Sequence, residues 1–93
     1  MLTIYVTYEG SDRASVEGFY SEIKSNRIDE LSRAEDGNVC YDYYWPAEVQ
    51  NQLFLLEKWE TKEAQQLHSQ QPHFQRLGQL KQKYGIESTV KFE

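Results

Sequence analysis

Cysteine, proline and basic charge are all scarce in this chain. One Cys (Cys40) in 93 residues cannot close an intrachain disulfide, which excludes a disulfide scaffold and points to a reducing, cytoplasmic home. Ten Lys and Arg stand against fifteen Asp and Glu, a formal charge of −5. That leaves no basic face to track nucleic-acid phosphates or an anionic membrane surface. No apolar run approaches the roughly 20 residues of a bilayer span. The start, MLTIYVTYEG, has neither the basic residues nor the long apolar core of a secretory signal. A Gly-rich phosphate loop, a G-x-S-x-G elbow and a nicotinamide or flavin fingerprint are likewise missing. The expectation is a small cytoplasmic protein that binds neither nucleic acid nor membrane and carries no recognisable cofactor site.

What the chain does have is aromatic side chains, with seven Tyr, four Phe and two Trp among its residues. Its length fits a single domain over residues 1–93 with a modest core, which gains from covering further apolar surface in an oligomer. Residues 2–8 (LTIYVTY) alternate as a strand should. Gly10, Ser11 and Asp12 form a turn that can cap a helix, and residues 13–34 carry an amphipathic helical pattern that stops near Gly37. Residues 38–45 and 52–59 read as strands joined by a hairpin connection opened by Pro46. Thr61 caps a short helix over 62–69, Pro72 starts another that ends at Gly85, and 86–92 is the last strand. The order β-α-β-β-α-β, with its second helix broken at Pro72, is the ferredoxin-like α+β arrangement, an antiparallel sheet with helices on one face. Residues 53–56 (LFLL) and 41–45 (YDYYW) are apolar or aromatic on both faces. The face without helices therefore needs a cover, and a homodimer formed sheet to sheet supplies it.

Several side chains are candidates for chemistry. His68 and His73 are five apart with Pro72 between them, which is neither the spacing of a helical His pair nor His-Glu-x-x-His, so no metal site is expected. His68 is placed at the end of the short helix, facing the sheet. Glu57 and Trp59 share a strand face with Leu53 and Leu55, and a carboxylate on an apolar face needs a partner. At 100° per residue Val16, Tyr20, Ile23, Leu31 and Ala34 form one helical stripe with Arg27 at its centre and Asn26 at its edge. Arg27 is therefore expected between helix and sheet, paired with Glu57. Tyr41 and Tyr43 point to one face of the second strand, Cys40 and Tyr44 to the other.

Three segments, E-D-G-N-V-C-Y (35–41), L-L-E-K-W-E-T (55–61) and A-Q-Q-L-H-S-Q-Q-P-H-F (64–74), together resemble the antibiotic biosynthesis monooxygenase family, the quinol monooxygenases included. The resemblance implies a dimeric α/β-barrel type of assembly with a pocket between helices and sheet. It implies oxidation of a quinol, anthrone or similar phenol by dioxygen without a cofactor. In that reading Trp59 lines the pocket, and Tyr41, Tyr43 and Phe74 contact the aromatic substrate. His68 is base or proton shuttle, with Arg27, Asn26, Glu57 and His73 completing the site. A haem-degrading branch of the family fits poorly, because its Asn, Trp and His fall at Thr7, His68 and Gly78. A branch that isomerises a phosphorylated autoinducer-type sugar remains open, with Arg27 as phosphate contact, as does a non-catalytic ligand-binding dimer.

Overall fold

The computed structural model describes residues 1–93. Strand β1 (Leu2–Glu9) is followed by α1 (Arg13–Ser25), α2 (Ile28–Arg33), β2 (Asn38–Tyr44), β3 (Gln52–Trp59), α3 (Lys62–His68), α4 (Pro72–Tyr84) and β4 (Glu87–Phe92). The sheet order is β2-β3-β1-β4 with every pair antiparallel. Helices pack on one face, as the sequence pattern requires of a ferredoxin-like fold.

Alternation along the central strands decides what enters the core. Ile4, Val6 and Tyr8 of β1 and Leu53, Leu55, Glu57 and Trp59 of β3 are buried under the helices. Val16, Phe19 and Ile23 of α1 and Leu77 and Leu80 of α4 close over them. Register sets the rows on this face: Ile4 lies between Phe92 and Glu57, with Tyr41 beyond Glu57, and Val6 lies between Val90 and Leu55, with Tyr43 beyond Leu55.

Caps end the helices where the sequence places them. Asp12 and Thr61 side chains accept from the backbone N–H of Ser15 and Ala64, satisfying donors that a helix start leaves open. Gly85 ends α4 in the left-handed region.

The expected single helix over 13–34 is instead two. The Asn26 side chain donates to the Glu22 carbonyl, and Arg27 takes φ +57°, which no continuing helix tolerates. The break re-phases α2 relative to α1. Ile28, Asp29 and Ser32 are buried and Leu31 is exposed, so the stripe projected through Arg27, Leu31 and Ala34 does not exist beyond Ile23. Asp29 is held in the core by Lys24 and Arg33 at 2.6 and 3.2 Å. Leu67 of α3 points outward.

Candidate active site

Between α4 and the β1–β4 half of the sheet lies a pocket of about 270 Å³. Its walls are mostly apolar, with Ile4, Val6, Leu77 and Val90 among them, and Phe74 stands at its rim. Two features keep it open. Gly78 faces it with no side chain, and a Cβ there would meet nothing within 4 Å. The β4 residues Val90 and Phe92 lie at the edge of the sheet, 47% and 65% exposed.

Glu57 belongs to this pocket and is 7% exposed. Its Oε1 accepts from the indole Nε1 of Trp59 at 3.0 Å, and no other hydrogen bond reaches the carboxyl. Burial pushes its pKa up to about 7; the Trp59 bond opposes the rise, and the Glu35 carboxyl adds to it. Burial disfavours the charged form of any acid. A carboxyl group that exchanges its proton near neutrality, inside a largely apolar pocket, is equipped for general acid–base work.

Trp59 and His68 do not line the pocket. They support it from behind. The Trp59 indole is fully buried and lies against the His68 ring at 4.8 Å between centroids. His68 Nδ1 and His73 Nε2 both reach Glu35 Oε2, at 2.6 and 2.7 Å. A carboxylate oxygen only accepts, so each imidazole carries its proton on the nitrogen facing Glu35. His68 Nε2 makes no hydrogen bond. Burial holds the His68 pKa below its ordinary value, opposed by the Glu35 bond.

Glu35 reaches this position because of the turn after it. Gly37 has φ +84°, and a Cβ there would stand 2.7 Å from the Ala64 Cβ, so only glycine lets the turn approach α3 this closely. The separate motif segments 35–41 and 64–74 thus meet in one cluster. Glu35, His68 and His73 are also the one set whose donor atoms, within 4.8 Å of one another, could hold a metal. As they stand, the contacts of Glu35 to both rings are N–H···O hydrogen bonds in length and pattern.

The remaining expected site residues are dispersed. Arg27 is 68% exposed at its side chain and pairs with Glu30 at 3.4 Å. It makes no ion pair with Glu57, because the helix break turns it outward. Asn26 closes α1 and accepts from Arg76 at 3.3 Å, a tie between α1 and α4 and not part of the pocket. Tyr41 and Tyr43 share the inner face as expected but lie on the β2 side of Glu57, away from the pocket. They meet edge to face at 5.8 Å, and both hydroxyls are buried without a partner, so burial raises both pKa values. Phe74 lines the pocket and touches the His68 ring edge-on at 5.2 Å. The residues missed from sequence are Gly78, Lys81 and Ser88. The signal for two of them was present: Phe74, Leu77, Gly78 and Lys81 fall at helical i, i+3, i+4, i+7 spacing from the Pro72 start.

An antiparallel sheet with helices on one face, and a buried acidic group in a largely apolar pocket between them, define a small α+β domain of the ferredoxin-like type. Residues 13–79 match the family model described as antibiotic biosynthesis monooxygenase, and the chain belongs to that family. It is 39% identical over 59 residues to a Bacillus subtilis (strain 168) protein described as "Putative monooxygenase YcnE", a match spanning 63% of this chain and 60% of that one. The fold is similar to a conserved protein of unknown function from Bacteroides thetaiotaomicron VPI-5482, with TM-score 0.87, 17% identity and coverage of 99% and 94% of the two chains. It is also similar to SnoaB of Streptomyces nogalater, a cofactor-independent oxygenase, with TM-score 0.77, 14% identity and coverage of 99% and 89%. No helix is long and apolar enough to cross a membrane.

Proposed function

We propose that the protein is a cofactor-independent monooxygenase that oxidises a quinol, anthrone or similar phenolic small molecule with dioxygen, using Glu57 as the proton acceptor. The observation that carries this reading is the Glu57 carboxyl, with a pKa of about 7, facing an apolar pocket of about 270 Å³. Family membership and the cofactor-independent relative of the same fold support it.

The chemistry needs little from the protein. Glu57 takes the phenolic proton, and the resulting anion passes one electron to O₂, giving a ring radical and superoxide. Their recombination forms a C–O bond and, with a proton, a ring hydroperoxide. Loss of water from the hydroperoxide, with its C–H proton leaving to a base and a proton joining the departing hydroxide, leaves a carbonyl. One oxygen atom ends on the ring and the other in water. The apolar walls favour the anion's reaction over its solvation. Trp59 holds Glu57 by its indole N–H, and His68, fixed by Glu35, holds Trp59; both are positioning residues. His68 is displaced from the base role expected of it because it sits behind Trp59 with Nδ1 engaged. The sugar-phosphate isomerase reading loses the anion contact that Arg27 was to supply.

A second copy of the chain completes the proposed assembly. The sheet face without helices carries Tyr5, Tyr44, Phe54 and Leu56 around a groove of about 530 Å³, an apolar surface that a sheet-to-sheet homodimer would cover.

Oxygen uptake by chelator-treated protein, with a panel of anthrones and dihydroxynaphthalenes, tests the reading. Uptake above the spontaneous rate is expected in the native protein. Gly78→Leu, which fills the pocket without meeting a neighbour at its Cβ, is expected to abolish it. Background rates across the panel, or full activity in Gly78→Leu, would refute it.

A further inference from the structure

The pocket has two charged lining residues, Glu57 and Lys81, and they stand at opposite ends. Glu57 is opposite Ile4 of β1 and Ser88 is opposite Tyr8. At about 3.3 Å per residue these places are about 13 Å apart along the strand. The helix gives a similar span, since Phe74 and Lys81 of α4 are separated by about 10 Å at 1.5 Å per residue. Phe74 marks the Glu57 end, because it packs on His68, which packs on Trp59. At the other end Lys81 Nζ donates to Ser88 Oγ at 2.6 Å and makes no salt bridge. The pair lies at the solvent-exposed mouth, and with a neutral hydroxyl as its one protein partner the ammonium has two further donors open to water or to a ligand anion. Val6, Val90, Leu77 and the space over Gly78 make the apolar part of the lining, to which Tyr8 and Gln65 add neutral polar groups.

We propose that Lys81 and Ser88 form a carboxylate subsite, so that the pocket takes an elongated fused-ring phenol bearing a carboxylate at the end remote from its hydroxyl. This rests on the reading of the Glu57 pocket as the substrate site. The hydroxyl lies at Glu57, the rings lie over Gly78, and the carboxylate replaces Ser88 or shares the Lys81 ammonium with it. A single lysine with one hydroxyl suits a monoanion better than a phosphate dianion, which commonly takes an arginine fork or several backbone donors. Lys81 is then a specificity-determining residue: a neutral phenol leaves its charge unused, and a carboxylate beside the hydroxyl would sit against Glu57.

The test is calorimetric titration at pH 7 with three ligands: 6-hydroxy-2-naphthoate, whose two groups stand at opposite ends, neutral 2-naphthol, and 3-hydroxy-2-naphthoate, whose groups are adjacent. The 6-hydroxy acid is expected to bind about tenfold or more tighter than 2-naphthol. The adjacent isomer should gain nothing. Lys81→Met, which keeps the aliphatic stem of a half-buried side chain, should bring the affinity ratio of the 6-hydroxy acid to 2-naphthol, measured within the same variant, from about tenfold to about one. Binding of 2-naphthol with no advantage for the 6-hydroxy acid, or an advantage that survives in Lys81→Met, would overturn the carboxylate subsite while leaving the pocket intact. Failure of all three to bind would overturn the pocket reading and the subsite together.

Discussion

Glu57 is an acid surrounded largely by hydrocarbon, and its charge is expensive in the folded state. An unfolded Glu titrates near pH 4.3, whereas folded Glu57 does so at about 7. As pH rises the unfolded chain therefore gives up this proton first. The contribution of the group to stability is full below about pH 4, declines between about 4.3 and 7, and levels off above. Glu57→Gln keeps an acceptor for Trp59 and removes the charge. It should match the native protein near pH 4 and exceed it by about 3 kcal/mol at pH 8, read by urea unfolding at the two values. At this scale strand alternation was a sound guide, because a period of two puts Glu57, Trp59, Leu53 and Leu55 on one face whatever surrounds them. The partner of Glu57 was not legible. The Trp59 indole two residues away serves it, where a distant Arg had been expected, and nothing in sequence spacing chooses between them.

The elements show why. Four boundaries signalled by a residue with a special backbone role fall where the sequence places them, with Thr61 and Asp12 as caps, Pro72 as a helix start and Gly85 as a stop, whereas the helix read as stopping near Gly37 already ends at Arg33. The break between α1 and α2 has no such signal. Its left-handed residue is Arg27, and its supports are side-chain contacts that spacing does not announce: Asn26 to the Glu22 carbonyl and Asp29 to Lys24 locally, and Arg76 of α4 to Asn26 from a distance. A continuous helical projection across that point therefore misplaced Arg27, Leu31 and Ala34 together. Holding a non-glycine residue in the left-handed region costs about 1 kcal/mol or more. Arg27→Gly is accordingly expected to stabilise the protein by about 1 kcal/mol in denaturant unfolding, with no effect on ligand binding, because its side chain reaches neither the pocket nor Glu57. Equal or lower stability in the variant would mean that the break is set by something other than backbone strain at this residue.

At the scale of the whole molecule, two apolar surfaces remain once the core is filled. One is the pocket under α4; the other is the outer sheet face around Tyr5, Tyr44 and Phe54, which are 46%, 51% and 39% exposed. The double-sided apolar pattern of residues 53–56 announced the outer face in sequence, since a strand with one wet face would alternate. The pocket was less legible, because it is made by what is missing, a side chain at Gly78 and helical cover over β4. If the outer face is a dimer interface, sedimentation should find dimers for the native chain. Phe54→Glu, which buries a charge at the centre of that face, should shift the population to monomer at micromolar concentration.

The pocket and its acid carry the central claim, and the pH dependence of oxygen uptake in the native protein and in Glu57→Gln tests it most directly. With a substrate from the phenol panel, the native rate should rise with ionisation of a group near pH 7. The glutamine variant, folded and at least as stable, should be slower by about 100-fold or more and lose that inflection. A glutamine variant that keeps the native rate and the native profile would show that Glu57 is not the base.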